Sequence, residues 1–214
     1  MTRPRWLDAM RRTWLLYHLA DPEFAFMYDA PPAGEWVALD TETTGLDVRK
    51  DQVVSIGAVR IVGNRLLTSQ RLELLVRPER AMSAASVRVH QLRERDVAHG
   101  LNQEQAMRRL LEFIGSRSLV GYYLEFDVAM LNREIWPLLG VRLPQQKIEV
   151  SSMYYDWRNR QLPAHERGMA TIDLRFATMM NDLGLPLRGA HDALSDAVMA
   201  GLAFIKLRWL LDQR

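Results

Sequence analysis

The stretch that decides the fold reads Val37-Ala38-Leu39-Asp40-Thr41-Glu42-Thr43-Thr44-Gly45-Leu46. It begins as an uncharged run over residues 36–39, which predicts a buried β-strand. Asp40 and Glu42 follow two residues apart, and alternate residues of a strand point to the same face. Two like charges at the end of a buried strand are costly unless a cation lies between them. Oxygen ligands of this kind favour Mg²⁺ or Mn²⁺ over zinc.

The residues that follow Glu42 can approach a ligand closely. Thr43 and Thr44 supply hydroxyl and backbone N–H groups, and Gly45 has the conformational freedom that close contact requires. A lone Asp-x-Glu more often marks a strand that runs into a polar turn. The whole stretch favours the metal site.

Residues 40–46 resemble the first motif of the DnaQ-like (DEDDh) 3′-5′ exonucleases, the family of polymerase proofreading subunits. The resemblance extends over roughly residues 35–210. It implies a ribonuclease-H-like fold, two divalent cations (Mg²⁺ or Mn²⁺), two further carboxylates and a catalytic His. It also implies that Thr43, Thr44 and Gly45 hold the 3′-terminal sugar and that Leu46 packs as a wedge against the terminal base.

A second motif is Glu125-Phe126-Asp127, after a short predicted strand and at the start of a predicted helix. A carboxylate at that position is stabilised by the helix dipole, so a simple helix cap is the common explanation. The resemblance matches Asp127 to a metal-binding Asp of the family. The preceding pair, Tyr122-Tyr123, departs from the His-Asn pair that is common there.

The third motif, Arg188-Gly189-Ala190-His191-Asp192-Ala193-Leu194-Ser195-Asp196-Ala197, resembles the family's His-x-x-x-x-Asp-Ala signature. The resemblance makes His191 the general base and Asp196 a metal ligand. Helix geometry alone offers a competitor, because Asp192 and Asp196 are four residues apart and share a face. A pair of metal ligands at 192 and 196 is therefore an alternative from geometry.

His90 is a further candidate. Family members carry a His-Gly-Ile-Thr-like element in this region that contacts the substrate, and this chain keeps the His but has Gln91 in place of Gly. His90 is interpreted either as a substrate contact or as a surface histidine.

The composition sets limits on the class of protein. The chain has 214 residues, 48% of them hydrophobic and 25% charged, so it can bury a core and is not of the disordered type. Its net charge of +2 means that any basic nucleic-acid surface must be local. It has no cysteine, which excludes disulfides and thiolate metal sites. No apolar run reaches the roughly 20 residues of a membrane span, so no membrane association and a cytoplasmic location are expected.

The pattern along the chain predicts an α/β protein. Strands at residues 36–39, 52–62 and 65–76 form an antiparallel meander, and short strands at 118–121 and 147–150 follow. Helices are predicted at 103–114, after Asp127, from 151, at 172–183 with Thr171 as N-cap, and at 192–211, with irregular segments at 81–90 and 159–169. The result is a mixed sheet flanked by helices, in agreement with the ribonuclease-H-like fold.

Two regions are predicted: a helical appendage at residues 1–34 and a DnaQ-like exonuclease domain at residues 35–214. The aromatic residues Trp6, Trp14 and Phe24 of the appendage are expected to pack back on the domain. The alternative is a helix that docks on a protein partner.

The predicted function is a metal-dependent 3′-5′ exonuclease that acts on single-stranded nucleic acid 3′ ends, DNA rather than RNA. Asp40, Glu42, Asp127 and Asp196 would bind two cations and His191 would accept a proton from the attacking water. The alternative function is a catalytically idle or polymerase-associated nucleic-acid-binding subunit.

Overall fold

The computed structural model describes residues 5–187 and 191–213, with side chains from residue 10 onward except that of residue 11. Residues 188–190 of the third motif therefore lie outside the described part of the chain, as does the side chain of Trp6. Five strands form one sheet in the order β3-β2-β1-β4-β5. Their bounds are β1 Glu35–Thr43, β2 Val53–Val62, β3 Arg65–Leu75, β4 Ser118–Gly121 and β5 Lys147–Glu149.

The sheet is mixed. β1 pairs antiparallel with β2, and β2 antiparallel with β3, which confirms the predicted meander. β1 pairs parallel with β4, and β4 parallel with β5. Parallel neighbours need a crossover connection, and here helices provide it.

Helices cover both faces. They are α1 Arg5–His18, α2 Ala84–His90, α3 Glu94–Val97, α4 Gln103–Ile114, α5 Leu124–Leu139, α6 Val150–Gln161, α7 Phe176–Asp182 and α8 Ala193–Asp212, with a 3-10 helix at Pro22–Tyr28. One core lies between the sheet and α4 and α5, and a second lies between the sheet and α6, α7 and α8. The predicted mixed sheet flanked by helices is confirmed.

The alternation of side chains along β1 determines the face of the sheet on which Asp40 and Glu42 lie. Val37 and Leu39 are buried in the first core, whereas Ala38 is buried in the second, against α8. Asp40 and Glu42 continue the side of Ala38. The strand therefore carries them to the face on which α8 packs.

The segment before β1 is tied to α4 and α5. Phe24 and Met27 are buried in the first core, and the Ala20 N–H donates to the Leu139 carbonyl at 2.8 Å. Arg108 on α4 forms an ion pair with Asp21 at 2.9 Å. Trp14, by contrast, is 59% exposed, so Phe24 packs on the domain as expected and Trp14 does not. The boundary at residue 34 stays a prediction.

The structure corrects three local predictions. Residues 84–90, predicted to be irregular, form α2, which Ser83 caps by accepting a hydrogen bond from the Ser86 N–H. The helix predicted at 172–183 begins only at Phe176, because the Asp173 carboxylate accepts hydrogen bonds from the Arg175 N–H and the Thr178 hydroxyl and holds a turn there. The polar loop predicted from residue 159 begins later, since α6 continues to Gln161.

None of the helices in the described part of the chain is long and apolar enough to cross a lipid bilayer.

Candidate active site

Asp40 and Glu42 lie inside β1, which continues past the predicted strand end to Thr43. Both side chains are half-buried. The pairing with β2 shifts register between Glu42 and Thr43, a bulge of the kind that often re-aims side chains beside active sites.

Asp127 lies in the first turn of α5, and its side chain is buried. Its Oδ1 accepts two hydrogen bonds from Thr41 of β1, at 2.9 Å from the backbone N–H and at 2.6 Å from the hydroxyl. Because Thr41 stands between Asp40 and Glu42, this clamp fixes Asp127 beside them. Thr41 donates to Oδ1 alone, so Oδ2 of Asp127 receives no hydrogen bond from this residue.

Asp196 stands in the first turn of α8, and its Oδ2 accepts a hydrogen bond from the His191 N–H at 3.1 Å. His191 has φ +73, which is rare for a residue with a side chain, and its side chain is exposed. The potential ligand atoms of Glu42, His191 and Asp196 all lie within 4.8 Å of one another. The His and the Asp of the third motif therefore meet although they are not on one helical face, because His191 precedes the helix.

The competing residue, Asp192, is the N-cap of α8. Its Oδ2 accepts hydrogen bonds from the Ser195 N–H at 3.1 Å and from the Ser195 hydroxyl at 2.6 Å. The cap occupies that oxygen, although the charge of Asp192 still acts on the neighbouring acids of the site.

The carboxylates of Asp40, Glu42, Asp127 and Asp196 repel one another. Burial, followed by repulsion from Asp127 and Asp196, raises the pKa of Asp40 well above its ordinary value. Burial and repulsion from Asp196 raise the pKa of Glu42 to about 7. Burial raises the pKa of Asp127 to about 7 despite the hydrogen bonds from Thr41, and burial also raises the pKa of Asp196. Acids with pKa values raised in this way are characteristic of functional sites.

The stretch after β1 is internally bonded. The Thr43 hydroxyl donates to the Gly45 carbonyl at 2.7 Å, and the Thr44 hydroxyl donates to Asp51 at 3.0 Å. These hydroxyls are therefore engaged within the protein, whereas Leu46 is 83% exposed. The wedge role of Leu46 stays a prediction.

His90 is buried, not on the surface, at the C-terminal end of α2. Its Nδ1 accepts a hydrogen bond from the Leu92 N–H at 3.1 Å, and its buried Nε2 lies near the Thr43 backbone. Burial lowers the pKa of His90, the Thr43 backbone raises it, and His191 lowers it. Those two neighbours place His90 at the site.

Sequence reasoning missed Gly57. This residue pairs with Asp40 across β1 and β2, and a Cβ added there would lie 2.2 Å from the Ala193 carbonyl carbon. The absent side chain lets the start of α8 approach the sheet beside Asp40. The signal was present, since a Gly inside a strand often marks close backbone approach.

The donor set fits a divalent cation. Four carboxylates, Asp40, Glu42, Asp127 and Asp196, are brought to one end of the sheet, with His191 at their edge. Hard cations such as Mg²⁺ and Mn²⁺ prefer oxygen ligands, and a cation would relieve the repulsion that raises these pKa values.

Comparison with known proteins identifies the family of this chain. The family model described as Exonuclease (RNase_T) matches residues 37–204, which include all five of these residues. DNA polymerase III subunit epsilon of Rickettsia conorii is 34% identical over 177 residues, which cover 80% of this chain and 72% of the relative. This agreement confirms the resemblance to DnaQ-like exonucleases.

Solved structures share the fold. The zinc-bound complex of E. coli exonuclease I with single-stranded DNA matches with a TM-score of 0.69 and 15% identity, over 86% of this chain and 42% of that one. Exonuclease X in complex with 5′-overhanging duplex DNA matches with a TM-score of 0.60 and 21% identity, over 80% of this chain and 90% of that one. The chain thus spans less than half of exonuclease I, and these likenesses confirm the ribonuclease-H-like fold.

Proposed function

The chain belongs to the Exonuclease family and is a 3′-5′ exonuclease, and we propose that it removes nucleoside 5′-monophosphates from the 3′ ends of single-stranded DNA. The observation that carries the proposal is the meeting of Asp40, Glu42, Asp127 and Asp196 with His191 at one end of the sheet. Four mutually repelling acids, with no cationic side chain bonded to them in the described residues, are an arrangement that cations would stabilise.

We assign these four carboxylates to two divalent cations, Mg²⁺ or Mn²⁺. Bound there, the cations would stabilise negative charge on the scissile phosphate and make a bound water more acidic. Thr41 would keep Asp127 oriented and ionised through its two hydrogen bonds. The Asp196 carboxylate would hold the backbone of His191 and so set the position of its ring.

His191 is assigned the role of general base. Histidine exchanges protons readily near neutral pH, and an exposed ring within reach of Glu42 and Asp196 can accept a proton from water attacking phosphorus. The proton moves to the ring nitrogen as the new P–O bond forms, and the 3′ oxygen of the preceding nucleotide leaves. The closeness of His191 to the two acids also suits a ligand role, so an experiment must separate the two.

DNA is proposed over RNA because both structural relatives above are described in complexes with DNA and the sequence relative is named as a DNA polymerase subunit. That name also supports a polymerase as protein partner. Met10, Trp14 and Tyr17 of α1 are exposed and form the surface that we propose for such a contact. A cytoplasmic location stays a prediction.

The deciding experiment uses 5′-labelled single-stranded DNA and RNA of one sequence, with Mg²⁺, Mn²⁺ or EDTA. A ladder that shortens from the 3′ end of DNA only with metal, and is absent from Asp196→Asn, is expected. Folded protein that cleaves neither strand would contradict the proposal and favour the idle or polymerase-dependent subunit, which addition of a polymerase would then test.

The role of His191 is tested with His191→Ala. A general base contributes about 10²–10⁴ to the rate, so a loss of that size with Mn²⁺ binding retained in calorimetry is expected. Loss of Mn²⁺ binding in His191→Ala would instead make His191 a ligand. Replacement of the exposed His165, which belongs to none of the three motifs, serves as the control.

A further inference from the structure

We infer that two adjoining clefts, the first of them lined by Phe126 next to Asp127 in the chain, form a path for the single strand that leads away from the 3′ end. The first cleft, of about 720 Å³, is lined by Leu46, Tyr123 and Lys147 among others. The second, of about 570 Å³, is lined by Arg49, Trp136 and Arg142 among others. Both include Glu125 and Lys147, so they are continuous, and we call them together the strand path. This inference rests on the proposed function and adds where the rest of the strand lies.

Tyr123 gives the first cleft a stacking surface. Its ring is 63% exposed and lies edge-on to Tyr122, with centroids 4.5 Å apart. Leu46, which follows β1 in the chain, is exposed and lines the same cleft as Tyr123. A nucleobase stacks on an exposed aromatic face whatever its sequence.

The backbone of Tyr123 is held in an unusual conformation to present that ring. Its φ is +53, where a bulky side chain is rarely found. The Glu149 carboxylate accepts the Tyr123 N–H at 3.1 Å and the Leu124 N–H at 2.9 Å, the first donors of α5. Such strain persists where surrounding contacts over-determine it, and it concentrates at functional sites. Glu149 is thus a positioning residue for the ring.

The second cleft supplies positive charge and a second aromatic ring. Arg49, Arg142 and Lys147 are exposed, Arg133 also lines the cleft, and Glu125 is the one carboxylate among its described lining residues. In the described part of the chain neither Arg142 nor Lys147 forms an ion pair. Trp136 is 54% exposed there.

Charge and aromatic surface in one groove match single-stranded nucleic acid. Cations follow the phosphates and exposed rings stack the bases, which is the usual basis of sequence-tolerant single-strand binding. The net charge of the chain is only +2, so a local excess of positive charge in the second cleft is a specific feature. Leu46 lines the first cleft and is expected to pack against the terminal base. The strand therefore runs from its 3′ end at Leu46 toward the second cleft.

The charge of the strand path is tested by anisotropy of a labelled 12-nucleotide single strand in Ca²⁺, which replaces the catalytic cation during binding. The double variant Arg142→Ala/Lys147→Ala is expected to bind roughly tenfold more weakly at ~0.1 M salt. The slope of log K against log salt should fall by about 1.4, the value for two lost phosphate contacts. The matched control is Arg65→Ala/Arg109→Ala, exposed arginines that line neither cleft.

The effect should grow with strand length. In steady-state cleavage the double variant should lose more against the 12-nucleotide strand than against a dinucleotide, mainly through KM. Unchanged binding and salt slope, an equal loss at both lengths, or an equal loss in the control pair would overturn the strand path. Duplex DNA bound as tightly as the single strand would overturn its assignment to single strands.

The ring of Tyr123 is tested by Tyr123→Asn and Tyr123→Phe. Asn accepts the left-handed backbone more readily than Tyr, so Tyr123→Asn should fold with undiminished thermal stability and yet bind the strand roughly tenfold more weakly. Tyr123→Phe keeps a ring and should bind as the wild type does. Wild-type affinity in Tyr123→Asn would refute the stacking surface.

The two proposals fail in distinguishable ways. Protein that binds the strand through these residues but cleaves nothing with Mg²⁺ or Mn²⁺ retains the strand path and loses the proposed hydrolysis. Protein that cleaves the strand but binds it equally well in all variants retains the hydrolysis and loses the strand path.

Discussion

Gly57 lies opposite Asp40 in the pairing of β1 with β2, and the space of its missing side chain is filled by the backbone of Ala193 at the start of α8. In Gly57→Ala the new methyl group would push the first turn of α8, and Asp196 with it, away from the sheet. We expect a loss of about 1–3 kcal/mol in stability from overpacking. The displacement should lower kcat/KM by roughly 10²-fold, although no proposed ligand is altered.

The control for that prediction is Gly63→Ala, in the turn between β2 and β3. Gly63 has φ +59 and nothing within 4 Å of an added Cβ, so the change strains the backbone but displaces no neighbour. It should lower Tm without changing kcat/KM. If Gly57→Ala were as active as Gly63→Ala, the contact of α8 with the sheet would not set the geometry of the site.

The metal-free protein should become less stable as the pH rises. Glu42 and Asp127 have a folded pKa of about 7, against roughly 4 in an unfolded chain. Between these values the folded state binds more protons, so its extra stability is full below about pH 4 and is lost as the pH rises through 7. Denaturation in EDTA from pH 4 to 8 measures this slope. Glu42→Gln should flatten it.

Metal should act in the opposite sense. A cation must displace protons from the carboxylates, so Mn²⁺ should raise Tm more at pH 8 than at pH 5. An equal rise at both pH values would show that the cation binds elsewhere.

Asp40→Asn should stabilise the metal-free protein while it abolishes hydrolysis. Burial and repulsion from Asp127, Asp196 and other nearby acids raise the pKa of Asp40, and a neutral amide of the same shape removes this repulsion. Tm at pH 8 in EDTA should rise by about 2–4 °C for each kcal/mol of repulsion relieved. Glu73→Gln, an exposed carboxylate on β3, is the control. A lower Tm in Asp40→Asn would contradict the repulsion.

Thr41→Val should weaken the site through Asp127. The variant keeps the backbone hydrogen bond but loses the hydroxyl that donates at 2.6 Å, so the pKa of Asp127 should rise further. Cation affinity should then fall by about 10–100-fold, as for other supporting hydrogen bonds around metals. The acid limb of the pH–rate profile should move to higher pH. Thr41→Ser restores the hydroxyl and should restore the profile.

The longer, strongly periodic elements could be predicted from the sequence. The helix Gln103–Ile114 and the strand Ser118–Gly121 have the bounds that the pattern indicates, since apolar spacing and the Asn102 cap agree with the burial. Short α2 could not be predicted, because Val87 and Val89 disfavour a helix and its stability comes from the Ser83 cap and from burial of Ser86 and His90. Contacts with the rest of the protein therefore stabilise α2.

The residue types of the site could be predicted from the sequence, whereas the contacts that hold these residues in place could not. Asp40, Glu42 and Asp127 follow from motif and position, and the structure brings them together with His191 and Asp196. The Thr41 clamp on Asp127 and the space at Gly57 depend on chain segments far apart in sequence, which no local pattern records. The role of Asp192 as a cap also needed the observed bond to Ser195.

The position of α8 late in the chain has a consequence for biosynthesis. A protein leaves the ribosome from its N-terminus, so β1 to β5, with Asp40, Glu42 and Asp127, emerge before Asp196 and the helix that covers the second core. A nascent chain in which α8 has not yet been made therefore lacks one wall of its core and the last acid of its site. If hydrolysis needs Asp196 as proposed, a nascent chain is expected to leave nearby nucleic acid intact until α8 folds onto the sheet.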